Sequence, residues 1–256
     1  MKFGNYSGLA ESYSLYRPDY SSSVLDSLIE LVEKDRSNID FLDVGAGTGI
    51  WTRMVSKRGL KSTTAVEPNE DMRTRGIQDS QDHVIEWING TAEKLCLPAR
   101  SRDWVTMASS LHWTDLKLSL PEFKRVLRPS GRFTALWNPR HLEQNPILLE
   151  IESYIEKLLP DIKRVSSGSS GLADTIAEKL VESECFDDVV YLEDVHTIKM
   201  PQHRYIGVWK SVNDVRVQLG AKKFALFIDF VEQTIKDSEY VEAKYLTRAW
   251  SARRTD

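Results

Sequence analysis

The stretch Phe41-Leu42-Asp43-Val44-Gly45-Ala46-Gly47-Thr48-Gly49 decides how this chain folds. Its first four residues are mostly apolar and follow a polar segment, which predicts a short strand buried on both faces. The glycines that come next let the backbone pass close to a ligand. After them Ile50, Met54 and Val55 recur at helical spacing, so the stretch predicts a strand, a glycine loop and a helix. The free N–H groups and partial positive charge of such a helix start attract anionic or polar ligands.

The flanking sequence repeats this alternation. Three further short runs rich in β-branched or aromatic residues predict strands at Thr63–Val66, Trp104–Ala108 and Phe133–Trp137. Apolar residues at helical spacing predict helices over 24–32 and 116–127. Because strand and helix alternate across residues 24–137, we expect a parallel α/β sheet with right-handed crossovers.

The rhythm changes after Pro139. Apolar spacing predicts helices over 146–159 and 172–184, a long helix-rich stretch over 203–236, and strands at Val189–Leu192 and Val241–Trp250. The run Ser166–Gly171 has the composition of a flexible loop. We therefore expect one domain over 1–256. Its parts are a ligand-binding core (1–140), cap insertions (141–171 and 200–238) and the end of the sheet (172–199 and 239–256).

Composition excludes several classes of protein. The 256 residues include 34 Lys and Arg against 38 Asp and Glu, a net charge of −4, which argues against binding nucleic acid mainly through phosphate contacts. Two cysteines, Cys96 and Cys185, cannot form a disulfide framework or a four-ligand zinc site, and no histidine shows metal-ligand spacing. Without an apolar leader or membrane-length run, we expect a cytoplasmic protein with no metal and no membrane contact.

The glycine loop points to a nucleoside-containing ligand. A dinucleotide fingerprint needs a third glycine where Ile50 stands, and a P-loop needs a closing Gly-Lys-Ser/Thr, so neither fits. Glu67 ends the second predicted strand, 24 residues after Asp43. A carboxylate there can accept hydrogen bonds from both ribose hydroxyls, because the neighbouring strand lies beside the glycine loop. The order strand, glycine loop, helix, strand and glutamate therefore predicts an adenosine site.

At this point the sequence resembles the class I S-adenosylmethionine-dependent methyltransferases, in particular the broad type 11 group with its trans-aconitate methyltransferase-like enzymes. The resemblance covers about residues 10–138. Six blocks carry it, namely Tyr13–Pro18, Leu42–Gly49, Val66–Pro68, Gly90–Leu95, Leu111–Trp113 and Leu127–Arg132. It implies a doubly wound, Rossmann-like, mostly parallel sheet of seven strands with helices on both faces and a helical cap.

The resemblance also implies a binding site for S-adenosylmethionine. Gly45, Ala46 and Gly47 would pass under the methionine moiety, with Asp43 orienting the loop. The remaining cofactor residues would be Arg17 at the carboxylate, Glu67 at the ribose, Pro68 and Met72 near the adenine, Thr91, Ala92 and Glu93 at the adenine edge, and Ser109 beyond the fourth strand. Many relatives carry Asp where Thr91 stands, and a backbone contact at Ala92 would survive that change.

The acceptor would bind at the same edge of the sheet. His112 follows the fourth strand and is the candidate general base or substrate-positioning residue; the alternative is that it only hydrogen-bonds the backbone. The candidate substrate contacts are Trp113, Trp137, Asn138, His141, Tyr205 and Trp209. The Asn-Pro-Pro-aromatic pattern of methyltransferases that act on nucleobase or amide nitrogens is missing.

Together these features predict methyl transfer from S-adenosylmethionine to a small-molecule acceptor by in-line displacement, in a monomer or homodimer. Two alternatives stay open. One is a methyltransferase that acts on RNA or protein, which would need an extended or basic groove. The other is a module that binds S-adenosylmethionine without catalysis.

Overall fold

A computed structural model describes residues 8–143, 145–164 and 171–256; the predicted Ser166–Gly171 loop lies almost wholly outside them. The strands are β1 (Asp40–Val44), β2 (Ser62–Val66), β3 (Glu86–Ile88), β4 (Arg102–Ala108), β5 (Leu127–Trp137), β6 (Phe186–Pro201) and β7 (Tyr240–Arg254). The helices are α1 (Ala10–Tyr16), α2 (Ser22–Leu31), α3 (Ile50–Ser56), α4 (Glu70–Asp79), α5 (Leu116–Val126), α6 (Pro146–Leu158), α7 (Leu172–Glu182), α8 (Gln202–Lys210) and α9 (Asn213–Ile235).

The seven strands form one sheet in the order β3-β2-β1-β4-β5-β7-β6. Strands β1 to β5 pair in parallel, and β7 pairs antiparallel with both β5 and β6. The order reverses between β1 and β4, where open α/β sheets bind their ligands beyond the carboxyl ends of the strands. The predicted doubly wound, mostly parallel sheet of seven strands is confirmed.

Adjacent residues of β1 belong to different cores. Phe41 packs with the apolar faces of α2 and α3, including Leu28 and Trp51. Leu42 belongs to the core formed with α5 and α7, which includes Phe123. Since consecutive side chains of a strand point to opposite faces, helices cover both sides of the sheet. A strand buried on both faces is apolar without alternation, and this is why the opening stretch was a strong signal.

The helices of the second half build a separate apolar cluster. Side chains of α6, α8 and α9 meet there, among them Ile151, Trp209 and Phe227, all fully buried. The stretch 203–236, predicted to be rich in helix, contains two helices, because α8 ends at Lys210 and α9 begins at Asn213. In α9, Gly220 interrupts the helical geometry with a φ of 68°.

Helix α1 joins this cluster from the N-terminal end of the chain. It packs against α8, where a Cβ on Gly207 would come within 2.4 Å of the Tyr16 ring. Only a residue without a side chain lets the two helices approach this closely. The N-terminal segment before β1 therefore contacts the helices of the predicted cap as well as the core.

The edge of the sheet is longer than predicted. Strand β6 runs for 16 residues and pairs with β7 up to the pair Pro201 and Tyr240, whereas the sequence indicated only Val189–Leu192. Much of β6 alternates exposed and half-buried residues, so its polar positions hid it from a search for apolar runs. The three-residue strand β3 was missed for its shortness.

Within the described residues, no helix has the length and apolarity required to cross a membrane.

We expect Gly207→Ala to destabilise the protein by about 1–3 kcal/mol through overpacking against Tyr16. On helix propensity alone the same change would stabilise by about 1 kcal/mol. Urea unfolding measures the difference. In a Tyr16→Ala background the added methyl group has room, so the penalty should shrink; an equal penalty in both backgrounds would show that the ring is not its cause.

Candidate functional site

The glycine loop between β1 and α3 is fixed by its neighbours on the sheet. The backbone N–H groups of Gly45 and Ala46 donate hydrogen bonds to the carbonyl oxygen of Val66, at 2.8 and 3.1 Å. Gly45 has a φ of +66°, and a Cβ on it would lie 2.8 Å from the side chain of Ser110. The loop therefore needs glycine here for both conformation and space.

Glu67 holds the loop from the end of β2. Its carboxylate oxygens accept hydrogen bonds from the backbone N–H of Gly47 and of Asn69, each at 2.8 Å. Burial raises the pKa of Glu67, although both of these hydrogen bonds lower it. A carboxylate oxygen has two lone pairs, so each oxygen can accept one further hydrogen bond from a ligand hydroxyl.

Asp43 lies beneath the loop, fully buried. Its two carboxylate oxygens accept hydrogen bonds from the hydroxyls of Thr52, at 2.6 Å, and Thr106, at 3.0 Å. Thr106 in turn accepts a hydrogen bond from the indole N–H of Trp51. Asp43 does not line the cavity at this edge of the sheet; it joins β1, α3 and β4 under the loop, which is consistent with the expected role of orienting the loop.

One cavity of about 850 Å³ opens at the carboxyl ends of β1, β2 and β4. Its volume is within the range of small-molecule sites. Most of the residues predicted for cofactor and acceptor line it, namely Arg17, Gly45, Ala46, Gly47, Glu67, Pro68, Met72, Thr91, Ala92, Glu93, Ser109, His112, Trp113 and Asn138. Residues scattered over half the chain are thus brought together by the order of the strands.

His112 presents a buried imidazole to this cavity. Its Nδ1 is 3.3 Å from Nε1 of Trp137, and an indole nitrogen can only donate, so Nδ1 accepts. Burial lowers the pKa of His112 to about 4, which leaves the ring neutral near pH 7. In the neutral ring the proton then lies on Nε2, which is buried and has no hydrogen-bond partner among the described residues. This geometry favours His112 as a hydrogen-bond donor through Nε2 rather than as the predicted general base.

Two aromatic side chains flank His112 in different ways. Trp113 lines the cavity, is 41% exposed and lies with its ring centroid 4.4 Å from that of His112. Trp137 is fully buried and does not line the cavity, so its predicted substrate contact is corrected to positioning the His112 ring. Asn138 lines the cavity, and its amide bridges the Asp19 carbonyl and the Thr247 hydroxyl.

Three other predicted substrate residues lie away from the cavity. The backbone N–H of His141 donates a hydrogen bond to the Lys244 carbonyl oxygen in β7, which fixes the position of His141. Tyr205 and Trp209 are buried in the cluster of α6, α8 and α9, because their side of α8 packs inward. A direct acceptor contact by any of the three is therefore corrected. Apolar helix periodicity cannot distinguish a residue that packs against other helices from one that lines a pocket.

Several residues that line the cavity were not predicted from the sequence. Tyr13, Tyr20, Trp51 and Ser110 line the cavity, and no role was assigned to them. The Tyr20 hydroxyl lies 2.9 Å from the Ser109 hydroxyl, its ring packs edge-on against Trp51, and burial raises its pKa. The block Tyr13–Pro18 indicated that this segment lies near the cofactor. It did not indicate which aromatic side chains would line the cavity.

Arg17 is the cationic residue at the cavity wall. Its Nη2 donates to the carbonyl oxygen of Ser211 at the end of α8, at 3.1 Å, and its guanidinium lies 4.9 Å from the Tyr13 ring centroid. Its Nε is buried without a hydrogen-bond partner among the described residues. Arg17 therefore connects the cavity to the helices above it and retains a donor for a ligand.

The described ranges contain no group of three or more His, Cys, Asp or Glu placed to hold a metal ion.

Known proteins share this fold and these motifs. Residues 42–135 match the model of a methyltransferase domain. An uncharacterized methyltransferase of Mycobacterium tuberculosis is 34% identical over 140 residues, 55% of this chain and 53% of that protein, so the chain spans about half the length of this relative. An uncharacterized methyltransferase-like protein of Schizosaccharomyces pombe is 22% identical over 255 residues, 94% of this chain and 92% of that protein.

A solved structure shares the fold alone. The phosphoethanolamine N-methyltransferase 2 of Haemonchus contortus, solved with phosphomonomethylethanolamine and S-adenosylhomocysteine, matches with a TM-score of 0.55 at 11% identity. The match covers 100% of this chain and 61% of that one. Residues 42–135 are therefore similar to a methyltransferase domain, and the relatives named above are described as methyltransferases. The narrower likeness to trans-aconitate methyltransferase stays a prediction.

Burial raises the pKa of Asp43 from 3.8 to about 7, even though Thr52 and Thr106 donate hydrogen bonds to it. Between these two pH values the folded state holds a proton that the unfolded state has lost, so stability falls as pH rises from about 4 to 7. We expect Asp43→Asn to remove this dependence, which amounts to at most about 1.4 kcal/mol per pH unit. Urea unfolding across that pH range measures it.

Asp40 provides the control for this prediction. Burial alone would raise the pKa of Asp40, but hydrogen bonds from Ser62, Lys61 and Arg128 lower it to about 2. Its contribution to stability is therefore lost only as pH falls below about 4. Asp40→Asn should leave the slope between pH 4 and 7 as it is in the wild type. An unchanged slope in Asp43→Asn would mean that the Asp43 carboxyl ionises normally.

Proposed function

We propose that this protein transfers a methyl group from S-adenosylmethionine to a small-molecule acceptor. One observation carries the proposal: the glycine loop held by Glu67 and the pair His112 and Trp113 line a single cavity. The first set of residues is of the type that binds an adenosine, and the second lies where the reacting group of a second molecule would be. We infer that both ligands occupy this cavity together.

The residues of the cavity fit the cofactor. Three of its lining residues carry buried polar atoms without partners in the described part of the chain, namely Nε of Arg17, Oγ1 of Thr48 and Nε2 of His112. Such atoms are costly unless a ligand satisfies them. We infer that Glu67 accepts from the ribose hydroxyls, the backbone of Gly45 to Gly47 supports the methionine moiety, and Arg17 binds its carboxylate. When bound, the cofactor supplies a methyl group on a sulfonium sulfur.

On the acceptor side the protein positions a nucleophile and excludes water. His112 would donate a hydrogen bond from Nε2 to the acceptor, with Trp137 fixing the ring. Asn138 and Trp113 would complete the wall beside it. Orientation and exclusion of water account for a large part of the rate in displacements of this kind. The atom that receives the methyl group is an open part of the proposal.

A small acceptor is favoured over a macromolecule by the surroundings of the cavity. Arg17 joins its wall to α8, one of the helices packed above the sheet, and the net charge of −4 offers no general attraction for nucleic acid. We expect a monomer or homodimer. Salt-sensitive RNA binding would favour the RNA-directed alternative instead, and cofactor binding without turnover on any acceptor would favour a non-catalytic module.

We expect S-adenosylhomocysteine to bind the wild-type protein, and Glu67→Ala to weaken that binding at least about tenfold, or 1.4 kcal/mol. The substitution removes the ribose acceptor and also the anchor of Gly47. Isothermal titration calorimetry measures the affinity of the wild type and of Glu67→Ala for S-adenosylhomocysteine. Glu70→Ala, which changes an exposed glutamate three residues away, is the matched control and should bind as the wild type does. Failure of the wild type to bind would reject the proposal.

We expect His112→Ala to keep its affinity for S-adenosylhomocysteine and lose about a hundredfold in turnover. His112→Gln should keep most of the activity, because an amide can donate a hydrogen bond but cannot accept a proton at neutral pH. Turnover against pH should show no step near 6.5 from His112, since its pKa is about 4. If Gln were as inactive as Ala, with a step near neutral pH, His112 would be a base.

A further inference from the structure

Arg140 is a half-buried cation, and no carboxylate in the described part of the chain forms an ion pair with it. It follows the end of β5, two residues after Asn138, and forms an isolated β-bridge with Tyr245 of β7. Its guanidinium carbon lies 3.8 Å from the ring centroid of Trp209 in α8. Its Nε and Nη2 are buried and have no hydrogen-bond partner, and no ion pair involves Arg140, within residues 8–143, 145–164 and 171–256.

The surroundings of Arg140 do not neutralise it. Burial lowers the pKa of Arg140; the nearby Tyr245 counters this, and the positive charge of Arg17 lowers it further. The negative charge of Glu152 on α6 raises the pKa of Arg140, but Glu152 already forms an ion pair with Arg164. A guanidinium stays protonated in proteins, so the fold retains a positive charge at a desolvation cost that a cation–π contact offsets only in part.

Arg140 and Tyr245 do not line the cavity themselves, but Arg140 is linked to residues that do. Arg17 and Asn138 line the cavity, while Arg17 is near enough to Arg140 to affect its ionisation and also contacts the end of α8. The hydroxyl of Tyr245 is a third buried polar group without a partner in the described ranges. Two guanidinium groups and a phenol hydroxyl at one place have the donors that bind a carboxylate or a phosphate.

We propose that the acceptor carries an anionic group, a carboxylate or phosphate, which Arg140 and the Tyr245 hydroxyl bind. Arg17 then serves the cofactor carboxylate and Arg140 serves the acceptor. This inference rests on the proposed function, since it assigns one substrate class to the same site. It accounts for two buried guanidinium nitrogens that have no hydrogen-bond partner in the described part of the chain.

Thermal unfolding of the full chain tests the uncompensated charge. We expect Arg140→Met to raise Tm in chloride buffer by about 2–4 °C, since the variant no longer buries an unpaired guanidinium. Arg132→Met is the control: Arg132 is more deeply buried than Arg140 and is paired with Asp188, so its loss should lower Tm. A fall in Tm for Arg140→Met comparable to that control, or failure to fold, would overturn the proposal.

Anion binding is tested with three probes at equal ionic strength: glutarate, inorganic phosphate and chloride. With saturating S-adenosylhomocysteine, we expect glutarate or phosphate to raise the wild-type Tm by a few degrees relative to chloride, and the one that acts distinguishes carboxylate from phosphate. Arg140→Met should lose this response, and Arg132→Met should keep it. No response in the wild type, or an equal response in Arg140→Met, would contradict an anion site at Arg140.

Calorimetry with S-adenosylhomocysteine separates this inference from the proposed function. We expect Arg17→Met to weaken cofactor-product binding at least about tenfold and Arg140→Met to leave it within about twofold. Equal weakening by both would mean that Arg140 serves the cofactor carboxylate, which would overturn the acceptor assignment. If the wild type bound no S-adenosylhomocysteine, the proposed function would fail, while the anion response measured without it would still decide the Arg140 site.

Discussion

The carboxylate of Glu67 is the contact on which the site depends. By accepting from the N–H of Gly47 and of Asn69, it joins the glycine loop after β1 to the turn after β2. Both strands end at the same edge because they pair in parallel and in register, from Asp40 with Ser62 to Val44 with Val66. A side chain that belongs to neither strand thus fixes the shape of the loop that a ligand would approach, before any ligand binds.

A second layer of polar contacts lies under the loop. Asp43, Thr52 and Thr106 form a buried network that also includes the indole of Trp51. The network connects β1, α3 and β4, which are the elements that surround the point where the strand order reverses. Buried polar networks of this kind are stabilising only when every member is satisfied, so they fix one arrangement of the backbone above them. The rigid base leaves the cavity's remaining unpartnered atoms, such as His112 Nε2, available to ligands.

Much of the fold could be predicted because its central strands are short apolar runs between glycine-rich or charged turns. Strands β1, β2 and β4 were found within two residues of their observed bounds. The long strand β6 was largely missed, because an edge strand that alternates exposed and half-buried residues has no continuous apolar run. The break between α8 and α9 falls inside a stretch that the sequence predicted only to be rich in helix. Its apolar residues continue the helical spacing, while the break depends on how the two helices pack.

For the site, the sequence alone determined the residues that the backbone pattern fixes: the glycine loop, Glu67, and the Leu111–Trp113 segment beyond β4. Their positions follow from strand order, and strand order follows from alternating elements with right-handed crossovers. The tertiary structure alone decided what each side chain touches. It placed Asp43 and Trp137 beneath the cavity and Tyr205 and Trp209 in a helical core, and it set Tyr20 at the cavity wall. It also enclosed two guanidinium nitrogens of Arg140 without a carboxylate partner among the described residues, because charge pairing depends on distances between distant segments, which residue spacing does not encode.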